Sequence, residues 1–269
     1  MSRRQKIQGW RKIAAAAWGR PNDPQIYGDL ELDASEVLAF IEEARETTGV
    51  RLTMTTMVGR ALAKALADHP DLNVRMYRGN FIRRETVDVF FIVSAEQGSE
   101  LSGVKVVDAD KKGAVEIARE LGERAGTIRT GNDVELGKTK KVIGSTPRWL
   151  LGTSIKVSSW LTTDRDLDLK RFGLPRQAFG STIVSSVGMF GVQRAYAPLA
   201  GYYRVPFLVL VGEVADKAVV VDKQVAVRPM LTLTATMDHR YIDGYHAARL
   251  ARSVKDYFEQ PRRYEPVIG

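Results

Sequence analysis

The chain has no cysteine. That excludes disulfides, thiolate nucleophiles and cysteine-based zinc sites. It also suits a reducing compartment, so a cytoplasmic location is expected. No apolar run approaches the roughly 18 residues of a membrane span, and no integral membrane segment is expected. The basic start, Met1-Ser2-Arg3-Arg4-Gln5-Lys6, is not followed by the apolar stretch of a secretory signal. There is no internal repeat and no low-complexity linker. Histidine is scarce, with three in 269 residues, so a general base among them is easy to isolate and a histidine-built transition-metal site is not expected.

What is present fits a globular enzyme: 44% hydrophobic and 27% charged residues. The net charge of +8 is compatible with nucleic acid, a membrane surface or an acidic ligand. The basic residues are spread along the chain, and no helix-turn-helix, RNP or zinc-finger pattern accompanies them, so no nucleic-acid partner is expected. A polyphosphorylated small molecule would satisfy the same charge.

Hydrophobic periodicity predicts a mixed order of elements. A short helix is expected over Trp10 to Trp18, a strand over Gln25 to Asp33, and helices from Ala34 to about Thr48 and from Thr53 to Asp68. A hairpin turns at Arg78-Gly79-Asn80. Strands follow at 87–94 and 104–107, then a helix at 111–128. Further strands are expected at 181–186, 206–214, 219–221 and 225–236, and a final helix at 244–259. Without strict βαβ alternation this is an α+β fold with a mixed sheet and helices on one side, in a single domain. Residues 137–178 break the rhythm. The basic Lys138-Thr139-Lys140-Lys141, the tryptophans Trp149 and Trp160, and the charge run Asp164-Arg165-Asp166-Leu167-Asp168 mark an elaboration. It would pack on its own domain, cover a subunit contact or rest on a membrane face.

The most informative stretch is Met237-Asp238-His239-Arg240-Tyr241-Ile242-Asp243-Gly244. It follows the alternating run Leu231 to Thr236 and leads into an amphipathic segment. A histidine at a strand-to-helix junction, with an aspartate four residues on, suits an imidazole held in one tautomer and used as a base. Gly244 would allow close backbone approach. His69, before Pro70, reads as a capping or surface residue. His246 reads as packed or solvent-facing. Two other matches are discounted. Gly126 to Gly131 has P-loop spacing but lacks the Lys-Ser/Thr that must follow. Ser102-Gly103-Val104-Lys105 lacks the partner motifs of penicillin-recognising enzymes.

Asp-His-Arg-x-x-Asp-Gly, as it stands at Asp238 to Gly244, resembles the signature of the catalytic domain of dihydrolipoamide acyltransferases. These are the core components of 2-oxo acid dehydrogenase complexes, relatives of chloramphenicol acetyltransferase. Three more segments resemble that family in order: Trp10-Arg11-Lys12-Ile13-Ala14, then Leu52-Thr53 with Pro70-Asp71-Leu72-Asn73, then Phe179 to Gly188. The resemblance implies a chloramphenicol acetyltransferase-like, trimer-forming fold and a CoA-dependent transfer of a short acyl group. His239 Nε2 would be the base and Ser185 the oxyanion donor, with Ser186 the alternative, since a one-residue slip exchanges them. Asp243, held by Arg11, would keep the His loop in shape, with Asp238 and Gly244 supporting it. The serine would come from a neighbouring subunit of a homotrimer or higher oligomer. Coenzyme A would be a substrate, and other subunits of a 2-oxo acid dehydrogenase complex would be partners. Lipoyl and peripheral subunit-binding domains are not found in the sequence, so the lipoyl group would arrive in trans. Two rival expectations remain: a non-catalytic trimeric scaffold, and an acetyltransferase with a hydroxyl or amine acceptor.

Overall fold

A computed structural model describes residues 24–95, 100–129 and 148–265. The helix expected over Trp10 to Trp18 lies outside them. Six strands form one mixed sheet in the order β1-β8-β7-β6-β4-β5. They are β1 (Gln25–Asp33), β4 (Val89–Ala95), β5 (Glu100–Val106), β6 (Thr182–Ser186), β7 (Phe207–Val221) and β8 (Gln224–Asp238). β6 runs parallel to both β4 and β7, and the other pairings in this sheet are antiparallel. A separate hairpin, β2 (Val74–Tyr77) and β3 (Asn80–Arg83), turns at Arg78 and Gly79, whose φ values are 50° and 79°. That pair of left-handed residues matches the twist of a two-residue hairpin.

Helices α1 (Ser35–Thr48), α2 (Met54–Asp68), α3 (Ala114–Arg129) and α5 (Gly244–Glu259) carry apolar faces that join one side of the sheet in a single buried cluster. Their ends follow from local chemistry. Thr53 caps α2 by accepting from Thr56 N–H at 3.2 Å. Gly49, at φ 67°, ends α1 in the left-handed region. α2 lies closest to the sheet at Gly59, where a Cβ would sit 2.2 Å from the Phe91 ring.

The opposite side of the sheet carries, among the described residues of its cluster, only a short 3₁₀ turn at Gly188–Phe190. The segment from Val187 to Val205 crosses it instead and covers Ile183, Leu208 and Leu210. β8 serves both sides by alternation. Leu231 and Leu233 point to the helices, while Thr234 and Thr236 donate hydroxyl hydrogen bonds to the carbonyls of Ala195 and Ala197 in the crossing segment.

Three boundaries differ from expectation. The strands expected at 206–214 and 219–221 are one strand, β7, with an irregularity between Val211 and Val214. Its outer half overhangs the helical layer, so Asp216 and Lys217 meet water without ending it. β5 begins at Glu100, and α3 begins at Ala114 after a short 3₁₀ turn at Ala109–Lys111. The described part of the elaboration begins as a helix, α4 (Arg148–Ser159), continues into a π turn at Trp160–Asp164, and then runs as turns and a short 3₁₀ piece at Lys170–Phe172.

The charge run in that elaboration is folded onto the protomer. Asp166 accepts from Arg176 at 2.7 and 2.6 Å and from Gln177 at 2.7 Å, and it lies 3.3 Å from Arg75. The Arg176 guanidinium, first among these, holds the Asp166 carboxyl down at about 2.

Two expectations follow. Gly59→Ala should destabilise by about 1–3 kcal/mol through overpacking, measured by denaturant unfolding, and Phe91→Leu should recover part of that loss. Asp166 has a folded-state pKa below its unfolded value, so its stabilisation is present above about pH 4 and fades as pH falls towards 2. The wild type should exceed Asp166→Asn by roughly 1 kcal/mol at pH 7, once solvent screening is allowed for. The gap between their thermal midpoints should close on acidification.

Candidate active site

The turn after β8 holds His239 by several backbone ties. Asp238 N–H donates to the Pro206 carbonyl at 2.9 Å, at the threshold of β7. His239 N–H donates to the Pro24 carbonyl at 2.8 Å, at the threshold of β1. The Asp238 carbonyl accepts from both Tyr241 (2.9 Å) and Ile242 (3.1 Å), which closes the turn. Its buried carboxylate accepts from Arg240 N–H at 3.0 Å and from Arg240 Nε at 2.9 and 3.1 Å. That pairing keeps the Arg240 guanidinium firmly charged. Asp238 thus ties the turn together through its backbone and its carboxylate.

The imidazole is fixed by the turn itself. His239 Nδ1 lies 2.8 Å from the Ile242 carbonyl. A carbonyl only accepts, so Nδ1 carries the proton and Nε2 keeps its lone pair. Nε2 has no partner among the described residues. His239 borders an open recess of about 270 Å³ with Pro24, Gln25, Ile26 and Arg240. The other histidines are engaged elsewhere. His69 contacts Ser253 Oγ through Nε2 at 3.1 Å and Arg249 Nη2 through Nδ1 at 2.9 Å. His246 completes a capping box with Asp243.

Asp243 is the N-cap of α5. Its carboxylate accepts from His246 N–H at 3.0 Å, and that bond lowers its pKa. The group that sets the His239 tautomer is therefore the Ile242 carbonyl, not Asp243. Arg11 lies outside the described residues. A Cβ on Gly244 would meet nothing within 4 Å among the described residues. The Asp-x-x-His spacing was a legible cap signal, with histidine in the place usually held by Glu or Gln.

The two serines separate cleanly. Val184 belongs to the helix-side cluster and Ile183 to the opposite one, so by alternation Ser186 faces the helices and Ser185 the crossing segment. Ser186 Oγ donates to the Val211 carbonyl at 3.4 Å. Ser185 is half-buried, and its hydroxyl has no hydrogen-bond partner among the described residues. Gly188, just beyond, lies against the backbone of β7, where a Cβ would come within 2.5 Å of the Gly212 carbonyl oxygen.

His239 and Ser185 do not meet within one protomer. Ser185 is level with Leu210 and, through it, with Thr234. His239 is five residues further along and two strands across. At ~3.3 Å per residue and ~4.8 Å per strand the two are about 19 Å apart. A single reacting centre needs both within about 3–3.5 Å.

A sequence profile of the 2-oxoacid dehydrogenases acyltransferase (catalytic domain) family matches residues 1–134 and 174–265. The chain belongs to that family. The profile leaves residues 135–173 unmatched. A relative from Rhizobium meliloti, the dihydrolipoyllysine-residue acetyltransferase component of pyruvate dehydrogenase complex, is 28% identical over 238 residues, 87% of this chain and 44% of the relative. The chain spans about half the length of the curated relatives it matches. Among solved structures, a probable dihydrolipoamide acetyltransferase from Listeria monocytogenes aligns with a TM-score of 0.66 at 21% identity, over 96% of this chain and 95% of that one. A structure of Azotobacter vinelandii dihydrolipoamide acetyltransferase aligns at 0.67 and 22% identity, over 90% of this chain and 84% of that one. That study concerned the roles of a serine, a histidine and an asparagine in catalysis, the last two lying four positions apart. The shared architecture is the mixed sheet flanked by helices. Among the described residues no helix is long and apolar enough to cross a membrane, and no acidic or histidine cluster suits a metal.

The tautomer assignment is open to nitrogen NMR. Above the titration range of histidine, His239 should give the Nδ1–H pattern. His69, whose Nδ1 accepts from Arg249, should give the Nε2–H pattern. A His239 ring found as Nε2–H would have no lone pair where a base is needed.

Proposed function

We propose that the chain is a CoA-dependent acyltransferase that moves a short acyl group between a dihydrolipoyl-type thiol and CoA. The observation that carries this reading is the 2.8 Å contact from His239 Nδ1 to the Ile242 carbonyl. It leaves Nε2 unprotonated beside an open recess, on a ring that cannot swing away. Family membership supplies the thiol and thioester chemistry that such a base serves.

The steps follow from the groups. Nε2 takes the proton of the acceptor thiol, and the sulfur attacks the thioester carbonyl. The carbonyl electron pair moves to oxygen, and the tetrahedral oxyanion accepts a hydrogen bond from a serine hydroxyl. Collapse expels the second sulfur, which recovers the proton from the His239 imidazolium. Ser185 fits the donor role better than Ser186, because its hydroxyl is uncommitted while that of Ser186 is bonded to Val211. The separation of about 19 Å inside one protomer requires Ser185 of the partner subunit to face His239. The resemblance to trimer-forming acyltransferases makes that assembly a homotrimer or a larger closed oligomer, in which every protomer gives its histidine to one seam and its serine to the next. CoA brings phosphates that suit a chain of net charge +8. The lipoyl group and the 2-oxo acid dehydrogenase partners would be supplied by other chains. Asp243 shapes the loop as the cap of α5. It stands four residues after the histidine, as the asparagine does in the Azotobacter protein.

Acyl transfer from acetyl-CoA to dihydrolipoamide tests this. His239→Ala should lose about 10²–10⁴-fold in kcat. Ser185→Ala should lose about 10²–10³-fold, and Ser186→Ala little. Oligomers re-formed from an equal mixture of His239→Ala and Ser185→Ala chains should regain about a quarter of wild-type turnover, since that fraction of seams would hold both intact groups. A mixture as inactive as its parents would rule out the shared site.

A further inference from the structure

The described part of residues 135–173, which the family profile leaves unmatched, is joined to the histidine turn by two routes. The first runs through hairpin β2–β3. Arg75, buried on β2, donates from Nη1 to the carbonyls of Thr163 (2.9 Å) and Asp164 (2.8 Å). Its Nη2 lies 3.3 Å from Asp166. On the same strand, Met76 N–H donates to the Tyr241 hydroxyl at 3.0 Å, and the Tyr241 ring packs on Phe81 of β3 at 5.5 Å between centroids. Arg165 adds a bond to Tyr77 Oη at 3.2 Å. Tyr241 is two residues from His239, and its N–H closes the turn on Asp238.

The second route runs through the chain leading into β7. Ser159 Oγ donates to the Tyr202 carbonyl at 2.7 Å. Asp164 pairs with Arg204 at 3.2 Å. The buried Arg84 bridges Gln177 and the Arg204 carbonyl. Two residues on, the Pro206 carbonyl accepts from Asp238 N–H. Both routes leave the segment between 159 and 177 and arrive at the residues flanking His239.

We infer that the segment 159–166 braces the His239 turn, with Arg75 and Tyr241 as its positioning residues. The inference rests on the acyltransferase reading for its effect on rate, but the brace itself is a statement about the ring. Other pieces of the elaboration face solvent, whereas Arg75 is buried with both ends of its guanidinium engaged. A rigid tie of this kind matters because a misplacement of about 1 Å costs up to a hundredfold in rate.

The test uses the full-length oligomer and two variants. Tyr241→Phe keeps the ring against Phe81 and removes only the acceptor for Met76. Arg75→Lys keeps the charge and loses the fork that spans two carbonyls and a carboxylate. In each, the His239 ring resonances should shift and broaden while those of His69 and His246 stay in place. kcat for acyl transfer should fall about ten- to a hundredfold with KM for CoA unchanged. If both folded variants keep wild-type His239 resonances and wild-type kcat, the brace does not exist. If Arg75→Lys fails to fold, Tyr241→Phe decides alone. Should the wild type transfer no acyl group while Tyr241→Phe still moves the His239 resonances, the brace stands and the enzymatic reading falls.

Discussion

The bond between His239 Nδ1 and the Ile242 carbonyl depends on a side chain that takes no part in it. Ile242 is fully buried, and its N–H is tied back to the Asp238 carbonyl. A backbone acceptor anchored in this way offers one position and accepts from one ring nitrogen. The imidazole is therefore held in orientation and in tautomer together. Asp238 and Pro24 fix the turn to the ends of β7 and β1, so the ring moves only if the sheet moves. The capping box of Asp243 and His246 then starts α5 immediately, and Leu250, Val254 and Phe258 bury that helix against the sheet. A surface histidine gains the precision of the core this way.

The same sheet keeps the two candidate residues of one protomer apart. β6 and β8 are separated by β7, and Ser185 and His239 lie at different heights along them. No rotamer change closes a distance of about 19 Å. Two further facts agree with a second copy at this place. The half-buried Ser185 hydroxyl has no partner among the described residues. A Cβ on Gly244, inside the signature segment, would meet open space. Both are ordinary if a neighbouring chain completes the surroundings.

Much of the fold was legible where the physics is local. The final helix falls at Gly244–Glu259 as expected, because an aspartate cap opens it and Gln260-Pro261 closes it. The Arg78-Gly79 turn and the alternation of β8 were equally readable. The residues that cross the sheet from Val187 to Val205 were not. Their order comes from contacts with β8 and β7 far away in sequence, through Thr234, Thr236 and Gly212. The catalytic candidates divide in the same way. His239 was found from its motif, and alternation showed that Ser185 and Ser186 face opposite sides. Only the sheet showed which side was free. The fixing of the ring by Ile242 carried no signal, since a backbone carbonyl is present at every position.

The elaboration posed the hardest reading, because its charge run has the composition of a solvated loop. Two of its three aspartates instead turn inward. Asp164 goes to Arg204 and Asp166 to Arg176, with Arg75 close to both. Solvated aspartates would gain nothing from burial, and taking these charges out of water is favourable only when each is matched. The cationic partners are contributed by three separate places in the fold: β2, the approach to β7 and the elaboration itself. A loop that merely occupied surface would not need arginines from the catalytic framework to neutralise it. The matching of charge across that boundary is the physical reason to treat the elaboration as part of the framework that carries the candidate site.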